Sequence, residues 1–487
     1  MSDPCEYPEL VLGLVAPVGV DLSNVQTLLK DYLKQFHYKS NHIRLSSLIK
    51  KIKGLQTRID GSKEYKRINS LMTAGDEARK KAGRGDFVAA LGICSVYKEH
   101  ANDKPPEKVA HIFDSIKHPD EVQTLRNVYG DGFYLIGIAS SRSRRLKYLT
   151  GQKGIQERYA KKLIARDESE TFEFGQHMRD SFHLSDGFVD IDAKDYVDQL
   201  ARILDLLFGK PCLTPTKDEY AMFIAYAASL RSGDLSRQVG AVVTSSCDEL
   251  ISTGANDVPC KGGGLYWADH RNEDKRDYVL GYDANENRRN EIAIKIMKKF
   301  GDKGESEEEL LTKGKNIFKD TGLFDITEYG RAVHAEMEAI ISCARSGVSP
   351  RGGTLYCTTF PCHNCAKHIV AAGISRVIFV EPYPKSLASE LHSDSIFLAN
   401  EDDISQANGK VKFEPFVGVG PRRFLDLFSM MLSSGRTIKR KENGNKAEWE
   451  RKKASLRLPM SPSSYIERET LLAAEIDELL GGKNENS

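Results

Sequence analysis

His334-Ala335-Glu336 is followed, 24 residues later, by Pro361-Cys362-His363-Asn364-Cys365. One imidazole and two thiolates can serve a single tetrahedral metal only if the fold brings His334 back beside both cysteines, so this spacing constrains the chain more than any bulk property. The pattern supplies the means. HAEMEAIISCARSG (334–347) has helical spacing, GTLYCTTF (353–360) reads as a strand, PCHNCAKHIVAAG (361–373) as a helix opened by Pro361, and ISRVIFV (374–380) as a strand. Alone, Cys-x-x-Cys is a structural zinc half-site or a redox pair, and a lone His-x-Glu on a helix is nothing. Together, each opening a helix, they predict a zinc held by His334, Cys362 and Cys365 with a fourth position open to water, whose pKa such a metal lowers from 15.7 to about 7. The helix N-terminus favours thiolate over thiol. Glu336, displaced from the ligand direction, can face the water and move protons as general acid and base. His363 and His368 are expected at the surface or behind the ligands, and Cys343 and Cys357 as buried thiols.

The rest of the chain sets the context. Its 487 residues are 40% hydrophobic and 29% charged, which predicts several globular domains. Lys+Arg 70 against Asp+Glu 69 leaves +1, so no net field draws in nucleic acid or an anionic membrane. The start, MSDPCEYPEL, has no signal-peptide pattern and no 18-residue apolar run occurs, so a cytoplasmic location without membrane contact is expected. The first part alternates strands (9–16, 109–116, 132–139) with helices, and 141–180, rich in Arg and Lys, is expected to be helical and exposed. LLFGKPCLTPT (206–216) reads as a domain break. After it come a helix (217–233) and a hairpin of strands 239–245 and 250–256. The expected architecture is α/β throughout: a doubly wound domain at 1–208, a second α/β domain at 216–434 interrupted by a polar, charged insertion at 257–330, and a charged, solvated extension at 435–487.

The H-x-E and P-C-x-x-C pair is the signature of zinc-dependent nucleobase deaminases. TLYCTTFPCHNCAKHIVAAGISRVIFV (354–380), with 334–339 and RQVGAVVTSSCDELISTGAN (237–256), resembles the deoxycytidylate deaminase branch of the cytidine deaminase fold, an α/β/α domain. With a kinase-like domain ahead of it and EPYPKSLASELHSDS (381–395) behind, the chain resembles the bacterial anti-phage dCTP deaminases. The resemblance implies zinc-dependent hydrolytic deamination of dCTP and dCMP, depletion of the dCTP pool during infection, and a homo-oligomer. It places a sugar-contacting asparagine at Asn256. Glu338 stands two residues after Glu336 where such enzymes usually have Asn, so the contacts of that Asn do not transfer. Arg237 and Lys385, beside strand ends, are the expected phosphate-binding cations.

The first domain resembles a P-loop nucleoside monophosphate kinase but departs from its loop. Gly13 and Gly19 are separated by five residues and followed by Val20-Asp21, so the lysine and the magnesium-ligating hydroxyl of G-x-x-x-x-G-K-[ST] are missing. Gly13, Gly19 and Asp114 are the expected nucleotide-binding residues, and the Arg142–Arg145 cluster resembles one that closes over phosphates. A regulatory domain is expected, binding a nucleotide effector, with Mg²⁺, or an RNA or protein regulator. A scaffold and an active kinase are the alternatives. For the whole chain the rivals are a housekeeping dCMP deaminase, a polynucleotide cytidine deaminase, against which the neutral charge and two Trp speak, and a regulatory protein with a structural zinc, against which the unligated Glu336 speaks.

Overall fold

Leu10–Val15 is apolar and buried at every position, the pattern of a central parallel strand covered on both faces. The structure, a computed structural model, describes residues 8–481 except 53, 101–107, 169–174, 176, 301–304, 320, 384–385, 400–406 and 432–434. By its internal contacts the chain forms two units, Met1–Glu219 with Asn400–Asp402 and Phe416–Ser487, and Tyr220–Ala399 with Asp403–Pro415. Among the described residues no helix is long and apolar enough to cross a membrane.

The first unit runs β1 (Leu10–Val15), α1 (Leu22–Gln35), β2 (Lys39–Arg44), α2 (Leu45–Ile49), α3 (Glu64–Ala82), α4 (Phe87–His100), β3 (Val109–Ile116), α5 (Pro119–Tyr129), β4 (Phe133–Ala139), α6 (Arg142–Lys147), α7 (Glu157–Glu168), α8 (Met178–Phe182), β5 (Gly187–Asp190) and α9 (Tyr196–Leu207). α1 starts on Asp21, whose carboxylate accepts from the Ser23 N–H, and buries Val25, Leu29 and Leu33, four residues apart on one face. The strands are parallel in the order β2-β3-β1-β4-β5, so the loop after β1 lies where the connections diverge to either side, the place where open α/β sheets bind ligands. The expected exposure of 141–180 is corrected: Leu149, Ile155, Ala160, Leu163 and Ile164 form a buried cluster with Met72.

The second unit holds α10 (Lys217–Ser229, which begins in the first), β6 (Gly240–Thr244), β7 (Leu250–Ala255), α11 (Asp277–Leu280), α12 (Ala284–Phe300), α13 (Glu307–Ile317), α14 (Ala335–Ser346), β8 (Thr354–Thr359), α15 (His363–Ala371), β9 (Arg376–Glu381), α16 (Ala388–Leu391), β10 (Ile396–Leu398) and β11 (Val411–Pro415). Its sheet has the order β10-β11-β9-β8-β6-β7. β6 pairs antiparallel with both neighbours, and the others pair in parallel. Both units are therefore mixed α/β with parallel-rich sheets. The insertion is not without a core, since α12 and α13 bury Ala293, Met297 and Leu310.

β12 (Gly418–Val419), α17 (Phe424–Phe428) and α18 (Pro462–Gly481) belong to the first unit, where β12 adds an antiparallel edge beside β5. This corrects the expected solvated extension at 435–487. Tyr465, Leu472 and Ile476 of α18 join the core that holds Phe87, Phe113 and Leu125.

Candidate metal centre and active-site pocket

His334 and Cys362 are the N-caps of α14 and α15, yet neither side chain caps its own helix. Their polar atoms face each other instead. The Nδ1 of His334 lies 3.3 Å from the Sγ of Cys362 and 3.3 Å from the Sγ of Cys365, and the three ligand atoms fall within 4.8 Å of one another. A tetrahedral zinc with bonds of about 2.0–2.3 Å separates its ligands by about 3.5 Å, so the donor set fits that ion in identity and spacing. β8 carries the chain from the end of α14 to Cys362, which is why the two helix starts meet.

Protons are unevenly shared there. Hydrogen bonding from Cys365 lowers the Cys362 thiol to about 4, and the bond to Cys362 raises His334 to about 9. Cys365, bonded to the Cys362 sulfur and buried, goes well above the ordinary thiol value. A cation entering this cluster displaces the protons of His334 and Cys365. Glu336 is 4% exposed, its Oε2 is 3.4 Å from the Cys365 Sγ, and burial pushes its pKa up. It stands beside the three donors without joining them.

A cavity of ≈ 380 Å³ opens over His334, Glu336 and Cys362. Asn256 lines it, but both ends of its amide are committed to backbone: Oδ1 accepts from the Val239 N–H at 2.6 Å and Nδ2 donates to the Arg237 carbonyl at 2.8 Å. The side chain thus holds the 237–239 segment that forms the wall. Arg237 also lines the cavity, 3.5 Å from Glu381 and above the Tyr383 ring. Lys385 lies outside the described residues. Glu338 is not among the lining residues and pairs with Arg345 at 2.6 Å. His363 and His368 lie outside the donor cluster, and Cys343 and Cys357 are fully buried.

Sequence reasoning missed one wall. Asp277, Asp283, Asn285 and Thr327 of the insertion line the cavity, and Arg331 beside them donates to Asp277 at 2.6 Å. Arg331 lies only three residues before His334, a proximity that was a usable signal, whereas Asp277, 54 positions from Arg331, offered none.

In the first unit the expected nucleotide residues separate. Gly13 is corrected: it lies within β1, where a Cβ would come within 2.9 Å of the side chains of Ile116, Leu135 and Phe133, so it serves strand packing and not a phosphate loop. Gly19 does lie in the loop after β1, with φ +93°. Asp114 lies in β3, two residues before its end, bonded to Gln26 and Ser115, and burial raises its pKa.

A family model for the cytidine and deoxycytidylate deaminase zinc-binding region matches residues 215–381. The deoxycytidylate deaminase of Enterobacteria phage T4 is 31% identical over 173 residues, 34% of this chain and 77% of that protein. The human deoxycytidylate deaminase is 26% identical over 164 residues, covering 33% and 63%. ComE operon protein 2 of Bacillus subtilis (strain 168) is 42% identical over 65 residues, so the chain spans about a third (34%) of that relative's length and 13% of its own. Among solved structures, the dCMP deaminase from cyanophage S-TIM5 in complex with dCMP and dUMP is 18% identical, covering 42% of this chain and 99% of that chain, with a TM-score of 0.24.

Proposed function

The chain belongs to the cytidine and deoxycytidylate deaminase family, and from that premise we propose that it hydrolyses the exocyclic amine of deoxycytidine nucleotides, dCTP and dCMP, to give the deoxyuridine nucleotides and ammonia. The observation that carries the reading is the convergence of His334, Cys362 and Cys365 beside an unligated, buried Glu336 at the floor of a cavity. A zinc ion held by those three side chains supplies a Lewis acid that makes hydroxide available at neutral pH. As water adds to C4 of the ring, Glu336 takes one proton from it and delivers that to the ring nitrogen; it then carries the second, from the C4 hydroxyl, to the amine, which leaves as ammonia while the C4 carbonyl forms and the C–N bond breaks. A carboxylate raised in pKa by burial suits this two-way traffic. Arg237 and Arg331 are the cations at hand for phosphate, each now on a carboxylate that a phosphate can replace. Asn256 contributes by keeping the Arg237 segment in place.

The reading extends to defence: draining dCTP starves phage replication, and the resemblance of most of the chain, specific in its deaminase half, to anti-phage dCTP deaminases supports that role. The first unit is then regulatory, a reading favoured by its kinase-like strand order and its loop without the transferring lysine. A housekeeping dCMP deaminase is the second reading, favoured by the names of the phage T4 and human relatives. Ammonia release from the purified full chain, offered cytidine, dCMP, dCTP, CTP and a C-containing oligonucleotide separately, tests these. Turnover of dCTP with dCMP is expected. Turnover of dCMP alone favours the second reading, and turnover of the oligonucleotide alone overturns both.

A further inference from the structure

The loop that joins β1 to α1 has the position of a phosphate site but is filled by the protein itself. The Val18 N–H donates to Oδ2 of Asp167 at 2.6 Å, and Oδ1 of the same carboxylate accepts from the Lys117 ammonium at 2.8 Å. Asp167, near the end of α7, is 0% exposed. Lys117 also donates to the Ala16 carbonyl at 2.7 Å, so one ammonium spans the loop and the carboxylate. The first turn of α1 is likewise served from within, by Asp21 on Ser23. A backbone N–H at a glycine turn and a lysine ammonium, each within 3 Å of the same group, are partners suited to a phosphate oxygen. Here they hold a carboxylate.

A second observation points to the same place. Arg145 is 6% exposed and lies against the loop, its Nη1 donating to the Val18 carbonyl at 3.3 Å and its backbone carbonyl 2.9 Å from where a Gly19 Cβ would be. Its Nε is buried with no hydrogen-bond partner. Glu168, next to Asp167, takes the Nη2 of Arg145 at 2.5 Å. Consecutive carboxylates of α7 thus neutralise the buried Arg145 and the half-buried Lys117 that face the loop, leaving one Arg145 N–H unused.

We propose that the 16–19 loop is a phosphate-binding site that the chain's own Asp167 occupies, and that a phosphate group enters when α7 withdraws that carboxylate. The ligand class is a phosphate ester or anhydride, free or as the tail of a nucleotide. Asp167 serves as its internal competitor. This deepens the regulatory reading of the first unit and gives it a switch: α7 in place means loop closed.

The test uses the full chain and three probes, pyrophosphate, ATP and dCTP, with sulfate as an ionic control, followed by calorimetry and by the shift in melting temperature. Wild type is expected to bind pyrophosphate and ATP weakly. Asp167→Ala is expected to gain on the order of tenfold or more in pyrophosphate affinity and to be stabilised by it. Adding Lys117→Met to that variant should abolish the gain. Should Asp167→Ala fold poorly, Asp167→Ser removes the same charge with smaller loss of packing. Equal pyrophosphate affinity in wild type and variant, or no gain in either variant, overturns the proposal, as does a gain that survives loss of Lys117. Tighter ATP than pyrophosphate in the variant identifies a nucleotide as the source, and equal affinity identifies free phosphates. Deaminase rate on saturating dCTP, with and without pyrophosphate in the variant, reports separately on the regulatory reading: binding without a change in rate ends that reading and leaves the loop assignment standing.

Discussion

Glu336 and Cys365 stand 3.4 Å apart, both buried, and the difference between their roles is a matter of one hydrogen-bond length against one metal bond. A carboxylate that only moves protons can be made an amide without emptying the metal site, whereas a sulfur ligand cannot be replaced so cheaply. Glu336→Gln is therefore expected to lower kcat by about 10²–10⁴-fold while zinc stays near one per chain. Cys362→Ser should lose zinc and melting temperature together, because the ion ties the starts of α14 and α15. Metal analysis beside ammonia release checks both, and loss of zinc from the Gln variant would show that Glu336 is a ligand after all. At this scale the sequence was a good guide where chemistry dictates residue type, as in His334, Cys362 and Cys365, and a poor one where geometry dictates it. Gly13 looks like a loop glycine and is a packing glycine, and Asn256, which lines the cavity, spends one N–H and one lone pair of its amide on the backbone of the wall, a second task that its spacing did not announce.

The helices of the site are held by backbone contact with the sheet. A Cβ on Gly254 of β7 would lie 2.1 Å from the Ala335 carbonyl and 2.6 Å from the Ala339 N–H, both in α14, and neither atom can move without moving the helix. Gly254→Ala is expected to cost about 1–3 kcal/mol or more of stability and to reduce kcat and zinc retention together, since α14 begins with His334 and Glu336. Calorimetry with metal analysis reads this out, and a stable variant with normal zinc would mean that α14 is not seated as described. The motif-bearing elements were legible to within about two residues: helix 334–347 became Ala335–Ser346, and strand 353–360 became Thr354–Thr359. Elements whose apolar face is interrupted by charge were not. α18 is masked by the basic run RTIKRKENGNKAEWERKKASLR before it, although its own PSSYIERETLLAAEIDELLG holds a single Arg, and the burial of Glu469 becomes intelligible only when His100 and Tyr129, 369 and 340 positions earlier, are seen to bond it. The insertion's α12 and α13 failed for a related reason: each buries little, and each needs the other.

The last helix shows what the molecule requires as a whole. His100 of α4 is enclosed between Glu9, just before β1, at 3.1 Å and Glu469 of α18 at 2.8 Å, all three at most 4% exposed, with the hydroxyls of Tyr465 and Tyr129 completing the carboxylates. Desolvation opposes charge on the imidazole, but the two carboxylates win and raise it from 6.5 to about 10. Desolvation likewise opposes charge on Glu9, and its bonds to His100 and His111 win and lower it from 4.5 to about 2. A chain lacking 435–487 therefore loses one carboxylate of a buried triad and the apolar cover of Leu472 and Ile476. It is expected to lose hydrogen-exchange protection in β1, α4 and α5 while β8 and α15 keep theirs; unchanged protection in β1 would return the segment to the status of a solvated arm. Glu469→Gln isolates the charge. Breaking such a buried pair costs about 3–5 kcal/mol. The sign follows from linkage: a raised His100 contributes fully below pH 6.5 and loses its contribution as pH climbs through about 10, and a lowered Glu9 contributes fully above 4.5 and fails as pH falls through about 2. The difference in melting temperature between wild type and Glu469→Gln should thus be largest from pH 4.5 to 6.5 and shrink towards pH 10. A difference independent of pH across that range would mean that His100 is neutral in the folded protein and that α18 is held by packing alone.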